Sequence, residues 1–168
     1  TARSAIQGGA AYVVSTDIED AALAVAREQI GVDETVNVQS VPDGFARFQD
    51  DETQFDVALE ASGAPQALHS LFSVLRRGGR LVQLGMMPPG ETSLPINMLQ
   101  TREIELVGAF RAHDEFRSAV EMIVSKKIDV SPILSGTYPL DRAGDAFDLA
   151  GDRSKVVKLH LAIAGEPA

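Results

Sequence analysis

Short apolar runs alternate along the chain with stretches in which apolar residues recur at helical spacing, and this alternation predicts the elements. Ala2, Ala5 and Ile6 share one face of a helix that Gly8 and Gly9 end. Residues 11–16 (AYVVST) form a β-branched run ending at Asp17 and predict a buried strand. Residues 19–30 predict a helix with acids in its first turn and Gly31 as its stop. Residues 35–38 predict a second strand, and Phe45 and Phe48 a helical turn in an otherwise polar stretch. Residues 55–61 (FDVALEA) predict a third strand. A helix follows over 65–77, with Leu68, Leu71, Phe72 and Leu75 at i, i+3, i+4 and i+7, Pro65 near its first position and Gly78-Gly79 closing it.

Residues 80–84 (RLVQL) predict a fourth strand, 85–90 a Pro/Gly loop, and 104–110 a fifth strand. Two more helices follow, over 114–125 with Phe116, Ala119, Val120 and Ile123 on one face, and over 141–150 with Ala143, Ala146, Phe147 and Ala150 aligned. Residues 133–138 predict a short strand. The last strand, 155–163, alternates Val157, Leu159 and Leu161 with Lys158 and His160. Strands alternating with helices are the mark of parallel crossover units, so the fold class is α/β, and short apolar strands fit a sheet covered on both faces.

Composition narrows the function classes. The 168 residues carry 15 Lys plus Arg against 24 Asp plus Glu, a formal charge of −9. Nucleic-acid binding needs clustered cations, and docking on anionic membranes needs them too, so neither partner is expected. No apolar run reaches the ~20 residues of a membrane span, and no signal peptide is visible. Cysteine is absent, which removes disulfides, thiolate zinc sites and Cys nucleophiles. A cytoplasmic enzyme, or part of one, fits best. The chain opens inside a helix without an initiator Met, which reads as a fragment whose N-terminal part is missing.

Open parallel sheets bind ligands beyond the carboxyl ends of their strands, so the residues there are the candidates. Asp17 follows the first strand, where an acid can accept both hydroxyl hydrogens of an adenosine ribose or serve only as a helix cap or turn former. The third strand runs into Ser62-Gly63-Ala64-Pro65, where a glycine lets a ligand approach the backbone and a helix start offers free N–H groups. The fourth ends at Leu84-Gly85-Met86 and the fifth at Gly108-Ala109-Phe110-Arg111. Three strand ends with small residues make a nucleotide shelf, although Gly85 also suits a plain turn and Arg111 a surface ion pair. His69 and His160 read as surface or structural, His113 as a helix cap, and the three lie too far apart for a local metal motif.

Read in order, AYVVSTDI, FDVALEASGAPQAL, LRRGGRLVQLGMMP, LPINMLQTREIELVGAFR and the closing IDVSPILSGTYPLDRAGDAFDLAGDRSKVVKLHL resemble the C-terminal half of the medium-chain dehydrogenase/reductase family, the zinc-dependent alcohol and polyol dehydrogenases. GAFR leans toward the polyol branch, the sorbitol and L-idonate dehydrogenases. The resemblance implies a Rossmann-type doubly wound parallel sheet lacking its first strand and glycine-rich turn. Residues 1–131 would be a partial dinucleotide-binding domain, and 132–168 a segment returning toward an absent catalytic domain. It implies NAD as cofactor, with Asp17 on the adenosine ribose and Ile18 and Ser62 beside the adenine. Gly63 would allow close approach, while Leu84, Gly85, Met86, Ala109 and Phe110 would line the nicotinamide. Arg111 would lie near the cofactor and Lys158 would stand where relatives carry a cation for the pyrophosphate.

The implied reaction is hydride transfer between an alcohol or polyol and NAD, assisted in the complete enzyme by zinc whose ligands are not in this chain. The chain by itself is then expected to be inactive and to hold NAD weakly, because the phosphate-binding helix start is missing. Two other classes share parts of the pattern: S-adenosylmethionine-dependent methyltransferases, which end in an antiparallel hairpin, and non-catalytic nucleotide-binding domains. The missing strand would be central in the order 3-2-1-4-5-6. Its place is expected to stay open by roughly 9–10 Å, to take a strand from another chain, or to close by pairing of the Asp17 and Phe55 strands. Residues 92–98 and 104–107 would form a sheet edge through which a homodimer or homotetramer assembles.

Overall fold

A computed structural model of the chain describes residues 1–112 and 114–163; His113 and the last five residues lie outside the described residues. The elements run α1 (Ala2–Gln7), β1 (Val14–Asp17), α2 (Asp20–Val25), β2 (Glu34–Asn37), β3 (Phe55–Glu60), α3 (Pro65–Val74), β4 (Leu75–Gln83), α4 (Ile96–Thr101), β5 (Glu105–Gly108), α5 (Glu115–Val124), β6 (Leu134–Pro139), α6 (Ala143–Ala150) and β7 (Lys158–Ala162). α2 continues into a wider π-helical turn, Ala26–Ile30, which Gly31 ends at φ 81°. Single 3₁₀ turns stand at Ala46–Phe48, Ser131–Ile133 and Leu140–Arg142.

Every described ladder is parallel: β1 with β2, β3 with β4, β4 with β5, and β6 with β7. The α/β reading therefore holds. The strands form three sheets, β1-β2, β3-β4-β5 and β6-β7. Within each sheet, the orders β2-β1 and β3-β4-β5 each match a run of neighbouring strands in the doubly wound order. β1 and β3 belong to different sheets, so the pairing of the Asp17 and Phe55 strands is not made.

The chain divides into two compact units. One holds Asp43–His113 with Thr1, the other Ala2–Pro42 with Asp114–Ala168. In the first, Ala58, Leu68, Phe72, Leu75, Leu81 and Ile104 make the core, and Leu71, Leu94, Met98 and Leu99 pack against it. In the second, Val13, Ile30 and Val32 are buried together, with Ala2, Ala5, Ile6 and Ile133 around them. Among the described residues no helix is long and apolar enough to cross a membrane.

Several boundaries differ from the periodicity. α3 stops at Val74 rather than at residue 77, because Leu75 turns extended (φ −83°, ψ 135°), pairs with Phe55 and is fully buried. The Arg76 guanidinium then bonds Asp56 at 2.6 Å, and the Gly78 N–H donates to the Arg102 carbonyl at 2.8 Å. Residues 92–98 are not an edge strand: Ile96–Thr101 is a helix, and Leu94 and Leu99 turn inward, leaving Ile96 exposed. β3 is covered on one face only. Ala58 and Glu60 are buried, while Val57 and Leu59 on the other face are exposed. The apolar stripe of α5 is also open, with Phe116 66% and Val124 76% exposed, and in α6 Ala146 is buried but Phe147 is not.

Candidate functional site

At the end of β1 the Asp17 carboxylate makes a local turn. Its Oδ1 accepts the Ile18 N–H at 2.7 Å and the Glu19 N–H at 3.1 Å. Among the described residues no donor reaches Oδ2. The cap reading and the ribose reading are thus compatible, since one oxygen shapes the turn and the other stays open to a ligand. Ile18 is half exposed beside it.

The turn is held by Asn37, the register partner of Asp17 at the end of β2. Its Nδ2 donates to Asp20 Oδ1 at 2.6 Å and to the Ile18 carbonyl at 3.2 Å. Its Oδ1 accepts the Gln39 and Ser40 N–H groups at 3.0 and 3.1 Å. Asn37 uses its whole hydrogen-bonding capacity to tie one strand end to the next, a role the sequence reading missed.

The ends of β3, β4 and β5 are stitched around Glu60. This carboxylate is 2% exposed. Oε1 accepts from the Ser62 N–H at 2.8 Å, the Ser62 hydroxyl at 2.5 Å and the Gly63 N–H at 3.1 Å. Oε2 accepts from Gln83 Nε2 at 2.6 Å. The Leu84 and Gly85 N–H groups donate to the Glu60 carbonyl at 2.7 and 2.9 Å, and the Ala109 N–H to the Gln83 carbonyl at 2.9 Å. The backbones come so close that a Cβ on Gly63 would overlap the Met86 carbonyl, and one on Gly85 would overlap the Gly63 nitrogen and crowd the Glu60 carboxylate.

Beyond these strand ends lies an open cavity of about 490 Å³, lined by residues 83–86 and 108–111. Met86 and Phe110 are 74% and 71% exposed. Arg111 sits at φ 57°, a left-handed turn uncommon for a side chain of this size, with its guanidinium 4.9 Å from the Phe110 ring centre. Of the candidates, Leu84, Gly85, Met86, Ala109, Phe110 and Arg111 come together here, with Ser62 and Gly63 tied in through Glu60. Asp17 and Ile18 form a separate patch in the other unit. Lys158 opens β7 rather than ending a strand; it is exposed and paired in register with Leu134. Among the described residues no bond joins it to Asp17 or Ile18.

Among the described residues no donor set fits zinc. There is no cysteine, and no group of three His, Asp or Glu converges among the described residues. Taken singly, the parts have chemistry suited to a nicotinamide dinucleotide: an open carboxylate oxygen after β1 in one unit and, in the other, an apolar cavity with backbone donors and acceptors at the β4 and β5 ends.

The family model described as zinc-binding dehydrogenase matches residues 1–125. The chain belongs to that family. It is 33% identical over 153 residues to L-idonate 5-dehydrogenase (NAD(P)(+)) of Escherichia coli K12, covering 91% of this chain and 43% of that protein. It is 32% identical over 155 residues to L-threonine 3-dehydrogenase of Edwardsiella ictaluri, covering 89% and 44%. The crystal structure of the E. coli L-idonate 5-dehydrogenase superposes with a TM-score of 0.86 at 31% identity, over 96% of this chain and 46% of that one. The chain thus spans under half the length of these relatives. The parallel pairing of β6 with β7, where a methyltransferase would place an antiparallel hairpin, agrees with the dehydrogenase family.

Proposed function

We propose that the chain is the NAD-binding part of a dehydrogenase that moves a hydride between an alcohol or polyol, of the L-idonate kind, and the nicotinamide. The observation that carries this is the joined β3, β4 and β5 termini, whose exposed Met86 and Phe110 flank a cavity with the backbone of Leu84, Gly85 and Ala109 at its wall. On this reading Asp17 Oδ2 receives the adenosine ribose, Ile18 and Ser62 lie beside the adenine, and Gly63 admits close approach. Leu84, Gly85, Met86, Ala109 and Phe110 hold the nicotinamide, and Arg111 stands at its rim. Lys158 is the candidate for the pyrophosphate.

Bound nicotinamide supplies the hydride acceptor. The chain's own part is to orient that ring and to keep water from one of its faces with Met86 and Phe110. Among the described residues there is no zinc ligand set, so no step of the reaction is assigned to zinc. The working form is a cytoplasmic homodimer or homotetramer; β5, the last strand of its sheet, leaves an edge open for pairing.

Titrating the 168-residue chain with NADH and following nicotinamide fluorescence tests the reading. Saturable binding displaced by ADP-ribose and not by S-adenosylhomocysteine is expected, together with no turnover of any polyol by the chain alone. Displacement by S-adenosylhomocysteine, or no saturable signal, would overturn the assignment.

A further inference from the structure

Glu60 is buried at the end of an apolar strand, and all its partners are neutral donors: two backbone N–H groups, one hydroxyl and one amide. No Lys or Arg is among them. The charge is hydrogen-bonded but not neutralised, and a buried charge in that state costs free energy that a neutral side chain would not. Packing alone gives no reason for it.

Gln83 deepens the imbalance. Its Nε2 donates to two acceptors, Glu60 Oε2 at 2.6 Å and the Gly85 carbonyl at 2.7 Å. Those bonds fix the orientation of the amide and leave Gln83 Oε1 buried without a partner. A carboxylate, an orphan amide oxygen and a backbone carbonyl therefore gather just behind the Gly85 wall of the cavity. The spot carries an excess of negative charge and acceptors in a low-dielectric setting, where it acts strongly on a nearby cation.

We propose that Glu60 is the positioning residue of this shelf: its carboxylate locks the β3 and β4 termini together and, as an unneutralised charge behind Gly85, favours the oxidised, cationic nicotinamide over the reduced, neutral one. The inference rests on the reading of the shelf as a nicotinamide site. A purely structural carboxylate would hold both redox forms equally.

Glu60→Gln keeps the size of the side chain and removes the charge, and its NH2 group finds an acceptor when the Gln83 amide turns its otherwise unpartnered Oε1 toward it. Dissociation constants for NAD⁺, NADH and ADP-ribose are measured on the wild-type chain and the variant. NAD⁺ is expected to weaken at least tenfold, NADH no more than threefold, and ADP-ribose, which lacks the ring, less than twofold. Gln83→Lys supplies a second route: it leaves Glu60 bonded to Ser62 and Gly63 while neutralising it, and the same selective loss of NAD⁺ is expected even if Glu60→Gln fails to fold. Equal losses for NAD⁺ and NADH in the folded variants, or no loss, overturn the proposal and leave the site assignment standing. A wild-type chain that binds NAD⁺ and NADH no more tightly than ADP-ribose removes the site assignment and the proposal with it.

Discussion

Gly63→Ala is expected to destabilise the first unit by about 3 kcal/mol and to abolish nicotinamide binding, whereas Gly31→Ala costs only ~1–2 kcal/mol and leaves binding intact. The two glycines have nearly the same backbone, φ 73° and 81°. Both changes force a Cβ into the left-handed region, at ~1–2 kcal/mol. They differ in what the Cβ meets. At Gly31 there is nothing within 4 Å, while at Gly63 the new carbon overlaps the Met86 backbone. A backbone carbonyl cannot swing aside as a side-chain tip can, so the Ser62–Ala64 turn and the Leu84–Met86 turn must part. Parting them breaks the Gly63 N–H bond to Glu60 and reshapes the cavity wall. Circular dichroism during urea unfolding gives the stability, and NADH titration the binding. Equal costs for the two variants would mean that the β3 and β4 termini are not held as tightly as their spacing implies.

The strands were legible because each is a short apolar or β-branched run, and burial of such a run between neighbours is decided locally. The end of α3 was not. Leu75 completes the helical stripe of Leu68, Leu71 and Phe72, yet its pairing with Phe55 pulls it into β4, and a contact 20 residues away leaves no trace in helical spacing. α4 was missed because a six-residue helix after Pro95 has too few turns to show a stripe. The stripes on α5 and α6 were read correctly as patterns, but a stripe does not say that anything covers it: Phe116 and Phe147 stand open. In the site, the strand-end rule found the residues that face the cavity. It passed over Glu60 and Asn37, whose partners Gln83 and Asp20 lie 23 and 17 residues away. A Glu closing the apolar run of β3 just before Ser-Gly was the one available signal, since a charge there must find donors in the turn that follows.

Cofactor choice is expected to turn on Asp17, with NADH bound at least a hundredfold more tightly than NADPH. Oδ1 is filled by the Ile18 and Glu19 N–H groups, so on the proposed reading Oδ2 would be the oxygen to meet the ribose. A 2′-phosphate in that place would bring about two negative charges against an ionised acid. At ~4 Å and an effective dielectric of ~20 each like-charge pair costs on the order of 4 kcal/mol, and solvent screening at a half-buried group leaves enough for the ~2.7 kcal/mol of a hundredfold. No cation stands beside it in the turn; the next residues are Ile18, Glu19 and Asp20, and Asp20 is held in place by Asn37. Ile18 is half exposed, so an arginine there can reach a phosphate without disturbing the core. In Asp17→Ser with Ile18→Arg, the serine hydroxyl keeps an acceptor for the turn while the guanidinium forks onto the phosphate. The ratio of the NADPH to NADH dissociation constants should fall by two orders of magnitude or more. If the wild-type chain prefers NADPH, or if the ratio stays put in the double variant, the Asp17 carboxylate does no more than close the turn after β1, and the ribose lies elsewhere.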